Sequence, residues 1–121
     1  MISAVAVFFG GGLGAFLRWG VVRLSSFAGL EAAWAIMLVN LFGAFVMGFL
    51  LGLSMKDISQ QVQLFLFTGL LGGFTTFSTL SADVIKLAER GWGLSVFYLI
   101  TSIAGGILLL VIGLRLGTHI R

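Results

Sequence analysis

Few residues in this 121-residue chain could do chemistry, and they stand in strongly apolar surroundings. The most unusual run is Gly72-Gly73-Phe74-Thr75-Thr76-Phe77-Ser78-Thr79, two glycines followed by four hydroxyl residues within five positions. Such a run makes a poor helix core, because glycine is flexible and Ser/Thr side chains compete for backbone groups. Either the helix breaks here or the hydroxyls back-bond onto an intact one. A break would free carbonyls near Gly72 and Thr75, and free carbonyls at mid-membrane suit a small alkali cation. Non-helical backbone survives at that depth only when buried in protein or lining water. Asn40 brings an amide with donors and an acceptor into a second apolar run. It serves a helix–helix hydrogen bond or lines an aqueous cavity. Arg18 lies inside the first apolar run, where it snorkels to the headgroups or lines a polar vestibule that attracts anions.

What is missing is equally informative. No Asp or Glu is placed deep in any apolar run, Asp83 coming nearest, and the single histidine, His119, is expected in a C-terminal tail. Proton relays and metal-dependent membrane enzymes need such groups inside. A nucleophile such as Ser78 would have no buried base, so the chain reads as a non-enzyme. Hydroxyls, an amide, Arg18 and the positive edge of the Phe77 ring could together accommodate a permeant anion. Nothing in these residues selects which anion.

The elements that must hold these groups follow from composition. The chain is 60% hydrophobic and only 9% charged, with mean hydropathy +1.18, against roughly 25% charged residues in soluble domains. That excludes a soluble globule and a disordered chain. One spanning helix takes about 20 residues, so the length predicts a single domain over 1–121 of four short-looped helices, with no room for an appended module. The charges place the spans at 2–24, 32–55, 61–87 and 93–116. The first is expected to be a retained helix and not a signal peptide, since it lacks a basic leader and contains Arg18.

Zero Cys removes disulfides and thiolate metal sites, and zero Pro leaves helix breaking to Gly and Ser/Thr. The net charge of +3 forms no basic stripe, so nucleic acid is not an expected partner. The partner is the lipid bilayer. Lys56, Arg115 and Arg121 fall on one side of the membrane and Arg23, Lys86 and Arg90 on the other, with Arg18 inside. Three against three gives no positive-inside bias, which permits insertion in both orientations. Small residues recur every four positions at Gly10 and Gly14, at Ala44, Gly48 and Gly52, and at Gly69 and Gly73. This spacing lets helix backbones approach closely in lipid, within the chain or, for the stripe on the second span, between chains.

Three segments in order resemble the signatures of the small fluoride-channel family (Fluc/CrcB type). They are Gly11-Gly12-Leu13-Gly14-Ala15-Phe16-Leu17-Arg18-Trp19, Leu38-Val39-Asn40-Leu41-Phe42-Gly43 continuing to Gly48-Phe49-Leu50, and Gly69-Leu70-Leu71-Gly72-Gly73 through Thr79. The resemblance covers essentially the whole chain. It implies an all-α membrane protein whose third helix is broken mid-membrane. Two four-helix subunits would pair in opposite orientations as an antiparallel, dual-topology dimer with two pores. It further implies passive fluoride export that relieves toxicity, in a prokaryotic plasma or inner membrane. A structural sodium ion would sit at the dimer centre on the backbone carbonyls of Gly72 and Thr75.

By the same resemblance, Phe77, Asn40, Ser78, Thr79 and Ser102 belong to the fluoride pathway and Arg18 to a vestibule. One position departs from the pattern, because Leu80 replaces a second pore phenylalanine. A homodimer is the favoured expectation. The alternatives are one subunit of an obligate heteromeric channel and a non-conducting accessory subunit. A proton-coupled drug exporter with dual insertion would need a deep carboxylate.

Overall fold

The computed structural model describes residues 1–54 and 58–120. Lys56, Arg121 and the residue 55 end of the second predicted span therefore lie outside the described residues. The architecture is all-helical. Helix α1 spans Ile2–Phe27, α2 Ala32–Gly52 and the last helix Trp92–Ile120. The third span, Gln60–Arg90, consists of two arms. Its first arm, α3 (60–74), is an α-helical turn Gln60–Gln63, a π-helical stretch Leu64–Leu71 and a final turn Gly72–Phe74. Its second arm, α4, is Phe77–Arg90, and the last helix is accordingly α5. Among the described residues four segments are long and apolar enough to cross a membrane, so the chain is a multi-pass membrane protein.

The first, third and fourth spans overrun the predicted boundaries, whereas α2 ends at Gly52, short of the predicted 55. Helix α1 continues to Phe27, where Gly29 (φ 77°) turns the chain and the Ala28, Gly29 and Leu30 amides fold back on Ser25 and Ser26 carbonyls. Helix α4 continues to Arg90, whose Nη1 donates to both Glu31 oxygens at 2.9 Å. That contact places the α1–α2 connection and the end of α4 on one side of the membrane. Helix α5 runs to Ile120, so His119 belongs to its last turn and not to a tail.

Two glycine seams assemble the bundle. Helix α1 packs on α3 with Gly10 and Gly14 set against the backbone of Phe65, Gly69, Leu70 and Gly73. Helix α2 packs on α5 with Gly48 and Gly52 against Leu110, Leu114 and Gly117, and with Gly113 and Gly117 against Phe45 and Phe49. The second-span stripe therefore serves contact within the chain. In lipid there is no hydrophobic gain in merely meeting, so backbone proximity must supply the attraction.

A smaller cluster fixes α4. Leu80, Leu87 and Tyr98 form its centre, with Trp34, Met37 and Val84 packed around them. The Tyr98 hydroxyl is 3.0 Å from the Ala33 carbonyl and 3.4 Å from Asp83 Oδ2. Asp83 is only 6% exposed. It is buried more deeply than its place near the predicted helix end suggested: α4 runs three residues past that end to Arg90, and Asp83 faces the buried Tyr98.

Candidate functional site

The third span breaks at Thr75–Thr76. Thr75 (φ −80°, ψ 155°) and Thr76 (φ −150°, ψ 121°) are extended, and the helix restarts at Phe77. Of the two sequence readings of the hydroxyl run the structure has the break, although one hydroxyl does back-bond. Thr75 Oγ1 back-bonds to the Leu71 carbonyl at 2.9 Å, yet the helix still parts one residue later. Thr76 then caps α4, its Oγ1 accepting from the Thr79 amide at 3.3 Å, a favourable use of Thr at an N-cap. The same hydroxyl donates to Thr79 Oγ1 at 3.1 Å and lies 3.3 Å from Ser78 Oγ.

Asn40 holds the break from α2. Its Oδ1 accepts from the Thr76 amide at 2.8 Å and its Nδ2 donates to the Thr76 carbonyl at 3.0 Å. The two bonds fix which end of the amide is oxygen, since a backbone N–H must meet an acceptor and a carbonyl a donor. They also account for the freed carbonyl predicted at Gly72. The Thr76 amide that would close a helical bond to that oxygen is turned to Asn40 instead. One Nδ2 hydrogen remains for another acceptor.

Arg18 reaches the break from α1, its Nη1 donating to the Thr75 carbonyl at 3.3 Å. Helix α1 extends nine residues beyond it, about 14 Å at 1.5 Å per residue. The shorter predicted helix made snorkelling a fair alternative, whereas the contact made is with the protein.

A cavity of about 350 Å³ adjoins the break, and Asn40, Gly72, Thr75, Phe77 and Ser102 all line it. Thr76 and Leu80 line it as well. Ser102 is 5% exposed, and its Oγ has no hydrogen-bond partner among the described residues. Such a buried hydroxyl seeks an occupant of the cavity. Ser78 and Thr79 do not line the cavity; with Phe77, which is 73% exposed, they form an outward ridge at the start of α4. Leu80, which follows the ridge, is buried and packs with Tyr98 and Leu87.

Thr76 and Tyr98 were not singled out in the sequence. The cue for Thr76 was its place as the capping residue ahead of α4. Tyr98 offered no comparable cue, because its partners lie 65 and 15 positions away.

The donor set fits a sodium ion in kind. The Gly72 and Thr75 carbonyls are hard, neutral oxygens, as an alkali cation prefers. One chain offers too few of them for a full shell, and Arg18 already shares the Thr75 oxygen.

Comparison with known proteins agrees with this architecture. The family model described as CrcB-like protein, Camphor Resistance (CrcB), matches residues 5–114. A protein of Agrobacterium fabrum named fluoride-specific ion channel FluC is 40% identical over 99% of both chains. Proteins of the same name from a Methylobacterium species and from Thermus thermophilus are 43% and 40% identical, over 88% and 89% of this chain and 89% and 87% of theirs. Matched over nearly its whole length by the family model and by these relatives, the chain belongs to the CrcB-like family.

Proposed function

We propose that this chain is the subunit of a fluoride-selective passive channel that exports fluoride from the cytoplasm. The observation that carries the reading is its end-to-end similarity to proteins named fluoride-specific ion channels. The break supports it chemically. Fluoride is small and strongly hydrated, so its path must replace water with hydrogen-bond donors. The remaining Asn40 N–H, the hydroxyls of Ser78, Thr79 and Ser102, and the edge of the Phe77 ring are donors of that kind. None is a fixed charge that would trap the ion.

An antiparallel dimer is part of this proposal. The ridge of Phe77, Ser78 and Thr79 is exposed on the isolated chain, and hydroxyls in mid-span are costly against lipid. A second copy covering the ridge answers that cost. It would also bring further carbonyls to a central sodium ion beside Gly72 and Thr75. The membrane is proposed to be a prokaryotic plasma or inner membrane. Leu80 supports one competing reading, a heteromeric pair in which a different chain supplies the second aromatic; co-purification with such a chain, and silence without it, would establish that version.

Liposomes containing this chain alone should release fluoride much faster than chloride, with no proton coupling. Equal release of both ions, or of neither, would sink the homomeric channel. Within that assay Phe77→Ala should slow fluoride by about tenfold, the equivalent of about 1.4 kcal/mol in barrier, which matches the upper range of aromatic-edge contacts. Dimer content by cross-linking should not change. Unaltered efflux would return Phe77 to packing.

A further inference from the structure

We propose that Arg18 acts on the cation site at the break: it shares the Thr75 carbonyl and holds down the affinity of that site for sodium. This rests on the reading of Gly72 and Thr75 as sodium ligands. The guanidinium stays charged under all ordinary conditions, and its Nη1 is 3.3 Å from the Thr75 oxygen. Among the described residues the one salt bridge joins Arg90 to Glu31, so no carboxylate neutralises Arg18. A carbonyl oxygen has two lone pairs and can meet both cations at once. Their charges nevertheless repel at a few ångströms in a partly buried setting, where screening is weak.

An opposite effect must be weighed. Arg18 could help sodium by orienting the carbonyl, and its loss would then weaken binding. The carbonyl is oriented without it, however. The Thr75 amide and Oγ1 both donate to the Leu71 carbonyl at 3.0 and 2.9 Å, and Asn40 grips the next residue through both its backbone groups. With orientation already secured, the repulsion decides the sign. Arg18 thereby tunes the cation site through its charge, distinct from a free charge that gathers anions.

The test uses the full chain in detergent, melted over a sodium chloride series with choline chloride holding ionic strength constant. Arg18→Gln should lower the sodium concentration for half-maximal stabilisation by at least about tenfold, and Arg18→Lys, which keeps the charge, should stay within about threefold of the parent. An unchanged or higher midpoint in Arg18→Gln would overturn the proposal; a purely structural role predicts the higher one. Should Arg18→Gln not fold, Arg18→Met poses the same neutral test. Fluoride efflux of the parent is measured separately. Efflux with no sodium response overturns the proposal and leaves the channel reading intact. A lowered midpoint without efflux supports the proposal and overturns the channel reading.

Discussion

Asn40→Ala should reduce fluoride efflux by roughly a hundredfold, equivalent to about 2.7 kcal/mol in barrier, and destabilise the folded chain by about 2–6 kcal/mol. The stability term follows from what the amide does. It satisfies both the N–H and the carbonyl of Thr76, a residue only 9% exposed. Alanine would strand two buried backbone groups, each costing about 1–3 kcal/mol when left unpaired. The flux term follows because Thr76 is also the cap that starts α4. If its backbone turns to find new partners, Phe77, Ser78 and Thr79 turn with it. Asn40→Asp is the harsher change, since a carboxylate accepts from the Thr76 amide but sets a second acceptor against its carbonyl. It should be at least as destabilising as alanine and should conduct poorly, having put a negative charge beside the anion route. Chemical unfolding and liposome efflux on the same preparations check both terms. If Asn40→Ala leaves stability untouched, the amide merely lines the cavity.

How far the sequence reveals this site depends on how local each feature is. The break is legible because its cause is local: two glycines and four hydroxyls adjoin it, and the helix parts within that run. The four spans are legible because apolar length is a property of each segment alone. Their ends are less so. Nothing in Leu24-Ser25-Ser26-Phe27 signals three further helical residues, and Arg90 is held by Glu31, 59 positions away. The partners of the break are non-local in the same way. Asn40 can be recognised as costly in an apolar helix, but not as a clip on Thr76, 36 positions on. Arg18 likewise reads as a buried charge without indicating that it meets Thr75. The glycine stripes show both sides of the matter. Their spacing predicts close helix contact, while the choice between neighbours within the chain and a second copy awaits the fold.

That choice has a sharp consequence, because Gly48→Ala should destabilise the chain by about 2–3 kcal/mol or prevent folding altogether. A methyl at this position would collide with the Leu110 carbonyl. The obstacle is backbone, so no rotamer change relieves it, and α2 and α5 would have to separate along their whole seam. Gly113 faces the Phe45 carbonyl in the same manner from the other helix, which leaves α2 no room to slide aside. Gly106→Ala is the opposite case. It lies on the same helix as Gly113, with nothing within 4 Å of the added methyl. There the ordinary helical preference for alanine, about 0.5–1 kcal/mol, should appear as neutral to mild stabilisation. Thermal melting of both variants in one detergent compares them directly. Equal effects would mean that the tight α2–α5 seam does not carry the fold, and that contacts elsewhere hold the helices together. A large difference in the stated direction makes glycine at position 48 a packing requirement within one subunit, and leaves the open positions at Gly106, Gly12 and Gly20 as the faces free to meet lipid or a second copy.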